Sequence, residues 1–139
     1  MSRVTTDDQA IIEDDVVLLT VPADVGYLGV LRTATAGLAA RLHFALDEIE
    51  DLRIAVDEAC AMLLAITVVD AELVCRFSVS DDALTVAVSA AAQPGTNLPA
   101  HASFAWKVLT ALTTDAVADM TGGTATIRLV SRRQAPPPH

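Results

Sequence analysis

Two runs of alternating side chains constrain this chain more than any other feature. Leu73, Cys75, Phe77 and Val79 alternate with Val74, Arg76, Ser78 and Ser80, and Leu84, Val86 and Val88 alternate with Thr85, Ala87 and Ser89. A period of two is the strand period. Between the runs, Ser80-Asp81-Asp82 reads as a hairpin turn. The pair predicts strands at Glu72–Val79 and Leu84–Ala90, in an antiparallel sheet with one face buried.

The cover for that face lies upstream. Leu28, Leu31, Thr35, Leu38 and Leu42 recur at spacings of three and four, which predicts a helix from Val25 to about Ala45 with Asp24 as its N-cap. A second helix is expected from Leu46–Asp47 to about Ile66. Leu52, Val56, Ala59 and Leu63 form its core stripe, and Glu50, Arg53 and Asp57 its wet side. Acids at its start suit the positive end of the helix dipole.

The remaining elements follow from local chemistry. Val16–Val21 is β-branched and apolar and reads as a strand ended by Pro22. Ala91–Ala102 is a loop by composition. Ser103 caps a third helix, expected from Phe104 to about Ala116. Gly122-Gly123 turns the chain into a last strand, Thr124–Val130. The predicted order is β-α-α-β-β-α-β, an α/β two-layer sandwich with a mostly antiparallel sheet and the helices on one face. Residues 1–15 are expected to be a flexible N-terminus, 16–131 the single domain, and 132–139 a disordered tail.

Composition narrows the function classes. The chain has 139 residues, enough for one self-sufficient core. Hydrophobic residues are 53% and aromatics 4%, so Ala, Val, Leu and Ile must pack that core. A formal net charge of -9 argues against direct nucleic-acid binding and against adhesion to anionic membranes. It suits a basic partner protein, or else serves solubility alone. Cys60 and Cys75 lack zinc-type spacing and read as buried thiols, so no metal site is expected. The longest run without Asp, Glu, Lys or Arg, Ala83–Trp106, contains Pro94, Gly95, Asn97 and Pro99 and is no membrane helix. Met1–Ala10 is polar and acidic, which predicts no signal peptide and a cytoplasmic location.

One side chain is out of place. On the second helix Glu58 neighbours Ile54, Ala55, Met62 and Ala65, an acid in a mostly apolar strip. Such a carboxylate either bonds a nearby backbone group or arginine, or serves as a functional group.

The stretch LRIAVDEAC, Leu52–Cys60, resembles the N-box helix of the Bergerat-fold ATPases, which include histidine kinases, DNA gyrase and the MutL repair proteins. The element order is similar to the RsbW/SpoIIAB branch, whose members are anti-sigma factors and serine kinases. SFAWKVLTAL, Ser103–Leu112, further resembles the actinobacterial UsfX/RsbW regulators of the stress sigma factor F. The resemblance spans about 115 residues and implies a histidine-kinase-like ATPase fold.

The family's functional residues carry over unevenly. Glu58 matches the general base of the N-box. Where the family has a magnesium-binding Asn, this chain has Met62, a poor ligand for a hard cation. Where it has the D-x-G-x-G adenine loop, this chain has Ala90 through Gly95, without the Asp. Where it has a glycine-rich phosphate loop, this chain has Ser103 through Trp106, without a glycine. Phe104 is expected in the core, and Trp106 is either core or an exposed anchor.

The resemblance therefore implies weak ATP/Mg binding or none, and little kinase activity. It implies a sigma factor as partner and an anti-anti-sigma (STAS-domain) protein as antagonist, with a homodimer formed through the first strand. Arg32 matches the partner-contacting arginine of the first helix, with Leu28 and Thr35 beside it; without the family, Arg32 reads as a solvated helix charge. The alternatives are an active serine kinase of the antagonist, or an interaction scaffold unrelated to sigma factors.

Overall fold

The computed structural model describes residues 15–134. Of the expected flexible N-terminus only Asp15 lies within them, and of the tail only residues 132–134.

Eight main elements run in order along the chain. They are β1 (Asp15–Pro22), α1 (Leu28–Arg41), α2 (Leu46–Leu64), β2 (Glu72–Val79), β3 (Ala83–Ala91), α3 (Phe104–Leu112), β4 (Asp115–Thr121) and β5 (Thr124–Arg132). The strands form one five-stranded sheet in the order β1-β2-β3-β5-β4, antiparallel at every pairing. The three helices pack together and onto one face of it, α2 in the middle between α1 and α3.

The alternating residues behave as their period requires. Leu73, Cys75, Phe77, Leu84, Val86 and Val88 are fully buried beneath the helices. Leu52, Val56, Ala59 and Leu63 of α2 are buried as well, so helix stripe and sheet face enclose one core.

Three expectations need correction. The third helix stops at Leu112, short of Ala116, and a fourth strand follows that the sequence reading missed. Thr113 turns to extended backbone while its hydroxyl donates to the Leu109 carbonyl at 2.6 Å. Asp115–Thr121 then pairs with β5 through the Gly122-Gly123 turn. Both glycines have positive φ, 59° and 81°, as a two-residue hairpin turn demands. Alanine-rich DAVADMT suits either element by composition, and pairing with β5 decides it.

The first helical segment is also split. Val25–Tyr27 is a 3₁₀ turn capped by Asp24, whose carboxylate accepts from the Gly26 amide at 2.8 Å. The α-helix proper ends at Arg41, and His43 turns the chain with φ of 63°.

The last strand also runs past Val130. Arg132 closes β5, the Arg133 guanidinium donates to the Leu42 carbonyl at 2.8 Å, and the Gln134 amide donates to Glu48 Oε2 at 2.9 Å. Glu48 Oε1 meanwhile accepts from the Ala45 amide at 2.6 Å, capping α2. The α1–α2 corner is thus tied to the end of the sheet.

Gly37 sits inside α1, and an added Cβ would meet nothing within 4 Å. Gly37→Ala is expected to raise stability by about 0.5–1 kcal/mol, from the glycine penalty in helices. Phe77→Ala, in contrast, should cost roughly 3–5 kcal/mol by opening a core cavity. Chemical denaturation of the two variants checks both signs.

Candidate functional site

The residues singled out by sequence fall into two places. One is the junction of α2, the end of β3 and α3. The other is the outer side of α1 and α2.

At the junction, Met62 and Ala90 are each 4% exposed and Trp106 is 5% exposed. All three belong to the same apolar core. Trp106 is held there by the start of α3, where the Ser103 hydroxyl accepts from the Trp106 amide at 3.2 Å. His101 stacks on the indole with ring centroids 4.9 Å apart. Phe104, expected in the core, is instead 80% exposed, while Trp106 is core. The two lie on different sides of the first turn of α3, a two-residue step of about 200°.

Gly95 does not join this cluster. Thr96 donates its amide to the Gln93 carbonyl at 3.2 Å across Pro94-Gly95, and Gly95 has φ of 81°. Proline followed by a positive-φ glycine makes a type II turn. That turn is exposed, and it accounts for the glycine without a ligand.

Glu58 is half-buried, and its carboxylate makes no hydrogen bond or ion pair among the described residues. Among the described residues it therefore has neither the backbone group nor the arginine that a structural role would use. An open cleft of about 300 Å³ lies elsewhere, between the Asn97–His101 loop and Ala118–Met120, and Glu58, Met62 and Ala90 are not part of its lining.

Such a junction does not fit Mg-ATP. A thioether, a methyl group and an indole provide no hard oxygen for magnesium and no carboxylate for an adenine amino group. They fill the space with packed side chains.

On the outer side, Arg32 projects from α1 and is half-exposed. Its Nη1 donates to Asp57 Oδ2 of α2 at 3.0 Å, with the two side chains 40% and 37% exposed. Asp57 was expected to be a solvated acid, and nothing local in the sequence announces a partner 25 positions away. Leu28 and Thr35 need correction as contact residues. Both are buried against the core, and the Thr35 hydroxyl donates to the Leu31 carbonyl at 2.7 Å. Their place on the core stripe of α1 wins over their nearness to Arg32.

Both cysteines are buried free thiols. Burial pushes Cys60 up to about 12, with Asp57 adding to the rise and Arg32 opposing it. Burial, with Cys60 as a smaller second cause, pushes Cys75 up to about 12.

No protein-family model matches the chain. Individual relatives do. The anti-sigma-F factor RsbW of Mycobacterium tuberculosis is 34% identical over 124 residues, covering 84% of this chain and 73% of that protein. This chain belongs to the RsbW family.

The serine-protein kinase RsbW of Bacillus subtilis is 38% identical over 78 residues, which cover 54% of this chain. The chain spans about half the length of these RsbW kinases, 49% of the Bacillus subtilis protein. In fold, it is similar to the crystal structure of the RsbU and RsbW domains of a Mycobacterium tuberculosis protein. The TM-score is 0.70 at 17% identity, over 88% of this chain and 33% of that one. The resemblance to the RsbW branch is thereby borne out.

Two outcomes are expected. Calorimetry with Mg-ATP should show no binding in the low-micromolar range, since two lost polar contacts at about 1–3 kcal/mol each amount to roughly thirtyfold or more. The thiols should resist alkylation at pH 8 in the folded chain. Unfolded thiols ionise near 9.0 and the folded ones only near about 12, so stability should fall as pH climbs from 9 toward 12. Denaturation midpoints across that range check the direction.

Proposed function

We propose that this RsbW-family chain is an anti-sigma factor that acts by binding alone. It sequesters an alternative, sigma-F-like stress-response sigma factor by occupying surfaces the factor needs for polymerase. A STAS-domain anti-anti-sigma protein releases it. The likeness to the anti-sigma-F factor of Mycobacterium tuberculosis supports the sigma partner. The net charge of -9 suits partners with basic surfaces, as nucleic-acid-binding proteins have.

The observation that carries the non-enzymatic reading is the burial of Met62, Ala90 and Trp106 in one core. In the histidine-kinase-like (Bergerat) architecture, which is our reading of this fold, those positions hold magnesium, adenine and phosphate. Apolar packing there leaves a binding surface and no reaction centre. The partner face would centre on Arg32. β1 is an edge strand with Leu18 66% exposed, which supports its use as a homodimer contact. No described helix is long and apolar enough to cross a membrane, and we place the protein in the cytoplasm with its partner.

One observation favours the kinase alternative: Glu58 is retained, half-buried and without a bond among the described residues. A radiolabelled phosphate-transfer assay with the STAS-domain antagonist separates the two readings, and transfer at rates typical of kinases would establish the alternative.

Affinity capture with the tagged full chain from its own cells, followed by mass spectrometry, should recover a sigma factor; recovery of other proteins only would favour the scaffold reading. Arg32→Glu should weaken the purified complex roughly tenfold or more, because it places an acid where a charged contact is made. Its thermal midpoint should stay within a few degrees of the parent. Unchanged affinity would remove Arg32 from the interface.

A further inference from the structure

We infer that Asp57 is a positioning residue that holds Arg32 in its binding-competent orientation; this rests on Arg32 being a partner contact. A free arginine on a helix surface samples many rotamers, and a partner must then pay for ordering it. Here one N–H of five is committed. Nη1 donates to Asp57 Oδ2 at 3.0 Å, and the bond crosses from one helix to the other. The rest of the guanidinium fork stays available. Nη2 lies 3.6 Å from where a side chain on residue 29 would begin, and Gly29 leaves that side uncovered. A planar fork anchored at one corner suits bidentate recognition of a carboxylate.

Stability does not explain the pair. Both side chains are more than a third exposed, and ion pairs in that setting contribute little. Asp57 moreover turns its other oxygen, Oδ1, inward, where it is buried without a hydrogen-bond partner among the described residues. An orphaned carboxylate oxygen opposes folding. What the arrangement does provide is geometry. α2 is the best-buried helix among the described residues, with Leu52, Ala55, Val56, Ala59 and Leu63 fully covered, so an acid fixed on it is a rigid anchor for a side chain on α1.

A double-mutant cycle tests this, with the full chain and the sigma factor recovered in the capture experiment. Binding is measured by calorimetry for the parent, Arg32→Ala, Asp57→Ala and the double variant. Asp57→Ala should weaken binding about tenfold when Arg32 is present and by less than about twofold when it is absent, a coupling of the size expected for contacting groups. Asp57→Asn should recover most of the loss, because its carboxamide oxygen can still accept from Nη1. All the variants should keep thermal midpoints within a few degrees of the parent, since the pair is more than a third exposed on both sides. Equal losses in both backgrounds, or no loss from Asp57→Ala where Arg32→Ala does weaken binding, would overturn the positioning role. If Arg32→Ala alone changes nothing, the reading of Arg32 as a partner contact fails instead.

Discussion

The burial of α2 is the constraint on which the rest of the molecule depends. It packs against the sheet on one side and between α1 and α3 on the others, and Leu52, Val56, Ala59 and Leu63 are fully covered. A helix so enclosed has one free strip. Glu58 is on one margin of that strip and Asp57 on the other, 100° apart by helical geometry. Asp57 reaches α1, and Glu58 reaches no partner among the described residues.

The same packing that stabilises the domain competes with nucleotide binding. A cleft that accepts a nucleotide must hold open space and polar groups, both of which cost folding free energy. Here Met62, Ala90 and Trp106 join the core, and α3 lies directly on α2. Phe104, which local composition would place inside, is the aromatic left outside. The domain gains core at these three positions.

On the proposed partner side, an exposed charge rides on a packed helix. α1 carries Arg32 on its outer side while Leu28, Leu31 and Thr35 hold its inner side in the core. The α1–α2 corner is in turn strapped by Arg133 and by Gln134 on Glu48. The relative position of the two helices, and so of Arg32 and Asp57, is set by packing and by these ties together.

Much of this was legible in the residues. The period-two runs of β2 and β3, the core stripes of α1 and α2, and the caps at Asp24 and Ser103 each follow from local pattern, because a side chain's direction is fixed by its element's period. LRIAVDEAC carried the family, and the missing polar residues at Met62 and Ala90 carried the doubt about nucleotide. What local pattern could not decide was anything set by two distant segments. Asp115–Thr121 became a strand because β5 offered an edge to pair with. Trp106 rather than Phe104 turned inward because α2 lies on that side of α3. The Arg32–Asp57 bond joins residues 25 positions apart. Sequence by itself determined the elements with a clear period and their faces, since those depend on neighbours two to four residues away; the tertiary structure decided β4, the inward side of α3 and which faces meet, since these depend on contacts no local period encodes.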